Sequence, residues 1–229
     1  MNKKRITVAL VGNPNSGKTT LFNSLTGSTQ HVGNWPGVTV EKKEGTCSSG
    51  EYEIKVVDLP GVYSLTAYSP DEVIARKFII EEKPDVVVDI VDASNLERNL
   101  YLSVQLMELD VPVLLALNMM DEAENRNHKI DIKKLSEGMG LPVVPMVANK
   151  SKGVADLLAA VVKIVEDKNP RTGVKIEYGR DVEKQIGVLE KALSESPHAG
   201  KYSPHWLAIK LLEGDEEIIK KFEGVPNVK

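Results

Sequence analysis

The order of apolar segments predicts an α/β fold, a mostly parallel sheet with helices on both faces, followed by a small all-α helical domain. Three observations carry this. Strand-length apolar runs alternate with longer amphipathic stretches over most of the chain. A glycine-bounded loop follows the first run directly and opens a helix. Around Asp167-Lys168-Asn169-Pro170-Arg171-Thr172-Gly173 the alternation stops, and no strand pattern follows. The boundary is therefore placed there, with domains over residues 1–168 and 169–229.

In chain order, residues 6–11 form a short apolar run that ends at Gly12, and residues 17–25 bring Leu21, Phe22 and Leu25 to one side of a helix. Residues 27–41 carry Gly27, Gly33, Gly37 and Pro36, which break any period and predict a mobile loop. Further strand runs lie at 54–57, 86–91, 113–117 and 143–147, and helices at 71–80, 96–109, 132–139 and 154–165. Ser69-Pro70-Asp71-Glu72 supplies a capping serine, a proline at the first helical position and early acids. In the tail, helices are expected at 182–193, at 206–212 behind Ser203-Pro204, and at 215–222. A sheet of this kind binds ligands at the carboxyl ends of its strands.

Composition narrows the function. The 229 residues carry a net charge of −4 with both signs interleaved, so there is no single-sign field to attract nucleic acid or an anionic membrane. Cys47 is the only cysteine, which excludes an intrachain disulfide and fits a reducing, cytoplasmic setting. The longest apolar stretches fall far short of the roughly 20 residues that span a bilayer, so the chain reads as soluble.

The run Gly12-Asn13-Pro14-Asn15-Ser16-Gly17-Lys18-Thr19 has the spacing of a phosphate-binding loop. Its glycines let successive backbone N–H groups turn toward a polyphosphate, Lys18 reaches the β and γ phosphates, and Thr19 offers a hydroxyl to Mg²⁺. Thr20 follows in the same turn. Asp58-Leu59-Pro60-Gly61 ends a strand, where Asp58 can hold magnesium and the Gly61 N–H can sense a γ phosphate. Asn118-Met119-Met120-Asp121 follows a buried-looking strand. Asp121 there would accept from two donors on the guanine edge, and a site built this way rejects a mismatched base by roughly 10⁴-fold. A looser element, Val147-Ala148-Asn149, offers the Ala148 N–H to the guanine O6, with Val147 where serine is usual. Thr39, in Gly37-Val38-Thr39, is the candidate switch threonine that closes over magnesium and the γ phosphate. The fold is thus that of a P-loop GTPase, with GTP as substrate and GDP as product.

The run Gly33-Asn34-Trp35-Pro36-Gly37-Val38-Thr39-Val40-Glu41, followed by Asp58-Leu59-Pro60-Gly61-Val62-Tyr63-Ser64-Leu65, resembles the G domain of the ferrous iron transport protein B (FeoB) family. Asn118-Met119-Met120-Asp121 does too, with methionine where other GTPases have lysine. Met119 would lay its thioether on the base. Trp206-Leu207-Ala208-Ile209-Lys210-Leu211-Leu212-Glu213-Gly214-Asp215 is similar to that family's helical spacer domain. The resemblance implies a GTP-hydrolysing domain at the cytoplasmic face of the cell membrane. It further implies a membrane-embedded Fe²⁺-transport domain in the same full-length protein as partner, and a helical domain that favours the GDP-bound state. A homo-oligomer stays open.

Where many GTPases place a water-orienting glutamine the chain has Val62, so hydrolysis should be slow or assisted. With the resemblance, Asn15 suggests K⁺ as the assistant, its shell completed by carbonyls of the loop around Gly33 and Trp35. Asn15, Lys18, Thr39 and Gly61 are then the catalytic candidates. A plainer reading has Asn15 capping its own loop. An exposed Trp35 would also serve as a partner contact or a flap over the ribose. His31, His128, His198 and His205 show no metal-ligand spacing. Cys47 reads as a small core residue on a strand, and Glu213, Asp215, Glu216 and Glu217 as a solvated helix start. The rival reading is a free-standing GTPase of ribosome assembly or tRNA modification, against which the short helical tail, acidic at its end, argues.

Overall fold

The computed structural model describes residues 4–167, 170, 173–194 and 202–222. The chain runs β1 (Lys4–Gly12), α1 (Lys18–Thr26), β2 (Gln30–Asn34), β3 (Glu41–Ser49), β4 (Tyr52–Asp58), α2 (Pro70–Glu82), β5 (Val86–Asp92), α3 (Leu96–Glu108), β6 (Val113–Asn118), α4 (Met120–Asn125), α5 (Ile132–Met139), β7 (Val143–Pro145) and α6 (Val154–Glu166). Then come α7 (Arg180–Ser194), α8 (Pro204–Leu212) and α9 (Glu216–Lys221). The sheet order is β2-β3-β4-β1-β5-β6-β7. Strands β4, β1, β5, β6 and β7 are parallel, and β2 and β3 join antiparallel at one edge.

The central strands β5 and β6 are apolar almost throughout, as is the carboxyl half of β1, because helices cover both faces. Val8, Leu10, Ile54, Val56, Val88 and Ile90 meet Leu21 and Phe22 of α1 and Leu157 and Val161 of α6. Ala9, Val11, Val57, Val87 and Val91 turn to the other face, against α2, α3 and the tail. Alternate registry thus splits the core into two layers, and the strand ends Gly12, Asp58, Asp92 and Asn118 come out along one rim. Helix α2 starts where its capping signal lies: Ser69 Oγ accepts from Glu72 N, Glu72 reaches back to the Ser69 backbone, and Pro70 opens the first turn.

Residues 27–41, expected as a mobile loop, instead contain β2. Val32 is 60% exposed and its neighbours are open too, so the strand has no apolar alternation. Its order comes from backbone pairing with β3, with Gly33 opposite Lys42. Gly45 on β3 permits a close approach here, since a Cβ would lie 2.6 Å from the Thr29 carbonyl oxygen. Trp35 is not exposed either. It is 8% accessible, edge-on to Phe78 of α2 at 5.6 Å between ring centroids, with the Lys42 ammonium 5.1 Å from its ring. Cys47 is half-buried on β3.

The segment with Lys168, Asn169, Arg171 and Thr172, where the domain boundary was expected, lies outside the described residues. From Gly173 the chain runs over α3 and α5: Val174 N donates to the Met139 carbonyl, and a Cβ on Gly173 would sit 2.6 Å from Met107 Cγ. Trp206, Leu207, Ile209, Ile218 and Phe222 of the tail then merge with the layer that holds Ile79 and Leu106. Among the described residues no strand follows β7.

The acidic stretch 213–217 is only half solvated, as Glu213 and Glu216 are exposed and Asp215 and Glu217 are not. Arg76 of α2 is 2% exposed; it bonds Asp215 at 2.5 Å, pairs with Glu217, and lies 5.7 Å from the Trp206 ring centroid. Asp215 also caps α9 by accepting from Ile218 N. Glu213 pairs with Lys210, a lysine with no exposed surface, which also faces Glu108 at 4.0 Å. Glu213 and Glu216 keep exposed side chains, 44% and 85%, while Asp215 and Glu217 are drawn in. The helix dipole alone would have left these acids in water, and the buried Arg76 of α2 draws Asp215 and Glu217 in.

Replacing Arg76 by alanine leaves Asp215 buried and unpaired, and the lower end of about 3–5 kcal/mol is expected in urea unfolding because Glu217 can still reach water. Asp89 of β5 is 1% exposed, bonded to Ser103 Oγ at 2.5 Å, and burial raises its pKa to about 7. The native state therefore holds a proton that the unfolded chain releases near pH 4. Its stabilisation is complete below that pH and is lost as pH rises through about 7. Asp89→Asn should flatten this decline in a pH series of denaturant midpoints.

Candidate functional site

The first site element is the turn between β1 and α1. A Cβ on Gly12 would lie 2.6 Å from the Ile90 carbonyl oxygen, and one on Gly17, at φ +89°, would lie 2.2 Å from Asn118 Nδ2. Only glycine allows the loop this near to β5 and β6. Ser16 N donates to the Asn13 carbonyl at 3.1 Å, which curls the loop tightly. Inside it, both polar atoms of the Asn13 side chain and Ser16 Oγ are buried without a hydrogen-bond partner. Unmet polar atoms of this kind are costly in an interior, and a loop lined with them fits a polar ligand. Pro14 and Asn15 stand exposed at the tip, with Asn15 at φ +68°.

Lys18 and Asp58 come together at 2.5 Å, with side-chain exposures of 11% and 6%. Burial raises the Asp58 pKa, and the Lys18 ammonium opposes that rise. Thr19 and Thr20 are exposed on the first turn of α1. After Asp58 the chain turns beneath the loop. Leu59 N donates to the Leu10 carbonyl and Val62 N to the Gly12 carbonyl, and a Cβ on Gly61 would be 3.4 Å from Pro14 Cα. Pro60 is half-buried, while Val62 is only 3% exposed and faces the core. The following loop is held by two residues that motif spacing did not single out as site residues. Glu72 accepts from Ser64 Oγ and Tyr68 N, and the buried Gln105 of α3 accepts from Leu65 N at 2.7 Å.

The third and fourth elements are joined to the first by one side chain. Asn118, 3% exposed, donates through Nδ2 to the Ser16 carbonyl at 2.9 Å and accepts through Oδ1 from Ala148 N at 2.9 Å. Met119 takes the left-handed conformation, φ +59°, and its Cε lies 3.7 Å from where a Gly17 Cβ would be. Met120 N donates to the Met146 carbonyl. Asp121 is partly open at the start of α4, and Lys150 Nζ sits 2.7 Å from its Oδ2. That contact, first among the causes, holds the Asp121 pKa below its usual value. Val147 and Ala148 are buried and Asn149 is exposed, in a turn closed by the Val147–Lys152 bridge. Lys150 was absent from the sequence-based site, and its position one residue beyond the fourth element was the available signal.

The switch residues lie apart from this cluster. Gly37, Val38 and Thr39 are exposed in a turn where Trp35 N donates to the Val40 carbonyl and Val38 N to the Trp35 carbonyl. Gly33 lies in β2. Among the described residues no hydrogen bond or ion pair joins any of these to the phosphate loop. No group of three or more histidine, cysteine or acidic side chains able to hold a metal is found among the described residues. Nor is any helix there long and apolar enough to cross a membrane.

Comparison with known proteins accounts for nearly the whole chain. A family model described as ferrous iron transport protein B matches residues 6–161, and one described as FeoB cytosolic helical domain matches 178–229. The Fe(2+) transporter FeoB of Escherichia coli K12 is 45% identical over 93% of this chain and 27% of that protein. An Fe(2+) transport protein A/Fe(2+) transporter FeoB fusion protein of Porphyromonas gingivalis is 44% identical over 96% of this chain and 26% of that protein. The chain therefore spans about a quarter of the length of either curated relative. The cytosolic domain of the T. maritima FeoB iron transporter, in a GDP form, aligns with a TM-score of 0.92 at 38% identity, over 97% of this chain and 87% of that one.

Asn118→Ala would strand the Ser16 carbonyl and the Ala148 N–H in a buried setting. A loss of about 2 kcal/mol or more is expected from two such groups, read as a lower denaturant midpoint of the nucleotide-free chain.

Proposed function

The chain belongs to the ferrous iron transport protein B family, and we propose that it is the nucleotide-operated part of such a transporter. In this reading it binds GTP and GDP and hydrolyses GTP slowly with Mg²⁺. Its nucleotide state regulates or drives Fe²⁺ passage through a membrane domain of the same full-length protein. The observation that carries the reading is the Asn118 amide, which ties the phosphate loop at Ser16 to the turn at Ala148, whose Lys150 in turn meets Asp121. Elements read separately in the sequence thereby share one rim of the sheet.

The residues divide the work by chemistry. The backbone N–H groups of Asn13 and of residues 15–18, with the unpaired Asn13 and Ser16 side chains, would line the polyphosphate, Pro14 having no N–H to give, and Lys18 would leave Asp58 for the β and γ phosphates. Thr19 and Asp58, with Thr39 once its turn closes, would hold Mg²⁺, which when bound neutralises phosphate charge. Gly61, lying against Pro14, would offer its N–H to the γ phosphate. Val62 faces the core and has no group to orient water, which supports slow turnover. Asp121 would read the guanine edge, Ala148 N–H would meet its O6 after sharing with Asn118, and Met119 would lie against the ring. Fit to K⁺ is conditional on movement: Asn15 is exposed at the tip, but the Trp35 carbonyl already accepts from Val38 N and Gly33 is paired in β2. A K⁺ shell using them needs the end of the β2–β3 ribbon to part.

We read residues 169–229 as a helical unit that senses this site. A continuous path runs from Gly61 through the loop held by Glu72 to α2, then through Arg76 to Asp215 and Glu217. A nucleotide that redraws the loop would tilt this buried contact, and the contact would in turn favour one nucleotide state.

Calorimetry with GTP, GDP and ATP, joined to turnover in potassium and in sodium for wild type and Asn15→Ala, tests the reading. Heat with both guanine nucleotides, none with ATP, and a potassium stimulation lost in Asn15→Ala are expected. Equal heats with ATP would remove the guanine reading, and equal wild-type rates in the two salts would remove the K⁺ step.

A further inference from the structure

We propose that Lys150 is a positioning residue that competes with the guanine base for the Asp121 carboxylate and so hastens nucleotide release. This rests on the reading of Asp121 as the base-recognising group. Both carboxylate oxygens already have partners: Oδ2 takes the Lys150 ammonium at 2.7 Å, and Oδ1 accepts from Glu122 N at 3.1 Å. A guanine edge presents two parallel N–H donors and needs the in-plane lone pairs of that same carboxylate. It can take the full carboxylate only when Lys150 withdraws.

The backbone of Lys150 is set in place by the structure that positions Asp121. Lys150 N donates to the Val147 carbonyl at 3.0 Å, the Val147–Lys152 bridge closes the turn, and Ala148 N is held by Asn118, three residues before Asp121. The two loops are thus braced together, and only the lysine stem has freedom to swing. Exposure suits a competitor. The Lys150 side chain is 64% exposed and that of Asp121 28%, so the pair is screened and substrate can displace it, whereas a fully buried pair would shut the base out. When the base leaves, the ammonium re-pairs the carboxylate, and the state after release is no longer one with a bare anion. A lysine whose stem merely lay on the base would have the opposite effect, because its loss would weaken binding.

The experiment follows dissociation of methylanthraniloyl-GDP from the 229-residue chain. The wild type is compared with Lys150→Met, which keeps stem length without charge, and with Lys150→Arg. Lys150→Met should release nucleotide about two- to fivefold more slowly, the range expected for an exposed ion pair, with Lys150→Arg close to wild type. High salt should bring the wild-type rate toward that of Lys150→Met while moving the methionine variant less. Release from Lys150→Met at the wild-type rate or faster overturns the proposal. Asp121→Asn separates this from failure of the underlying reading. Undiminished GDP binding by Asp121→Asn would sink the base-recognition role, whereas its loss together with an unchanged Lys150→Met would sink the competitor alone.

Discussion

The arrangement hangs on the side-chain amide of Asn118. One planar group donates to the carbonyl of Ser16 and accepts from the amide of Ala148, so the phosphate loop and the two base-side loops cannot move independently. The contact depends on what is missing opposite it. A side chain on Gly17 would begin 2.2 Å from the donating nitrogen, so the loop must carry glycine in a left-handed conformation for the amide to dock. Steric permission from one residue and hydrogen bonding from another together define the rim on which Lys18, Asp58 and Asp121 stand.

A second constraint operates on the far side of the sheet. The apolar layer under α2 and α3 is completed by tail residues such as Trp206 and Phe222, and through this layer passes the guanidinium of Arg76. A hydrophobic residue there would be as stabilising, by the usual balance of burial against desolvation. What the ion pairs add is direction: Asp215 and Glu217 can be met from one approach only, which sets the register of α9 on α2. The helix that follows the Gly61 loop is thereby mechanically joined to the tail.

Much of this was legible in the sequence because the information is local. Helix α5 spans residues 132–139, as its periodicity requires, and the Ser69–Glu72 cap marks the start of α2 within a residue. The glycine spacing of the phosphate loop encodes its own turn, Asn118 ends an unbroken apolar run, and Asp58 ends a shorter one interrupted only by Lys55 within residues 54–57. Strand β2 was hidden, and β3 was glimpsed only at Cys47, because their stability lies in backbone pairing at an exposed edge, where side chains leave no pattern. The burial of Trp35 went unread for the same reason, since its partner Phe78 lies on a helix far along the chain. Arg76 and Asp215 are 139 residues apart, and Lys150 reaches back 29 to Asp121. Nothing within a window of helical or strand length signals such pairs.

The chain holds two tryptophans, and their surroundings differ in a way that optical spectroscopy can use. One indole is wedged beside Phe78 at the foot of the segment carrying Thr39. The other stacks on Tyr202 at 5.9 Å and lies beside the Arg76 guanidinium. Both lie against α2, one on each side, and each has its own aromatic and cationic neighbours. Exchanging either for phenylalanine leaves the other as the single intrinsic fluorophore, so the emission of each indole can be read separately without attaching a label.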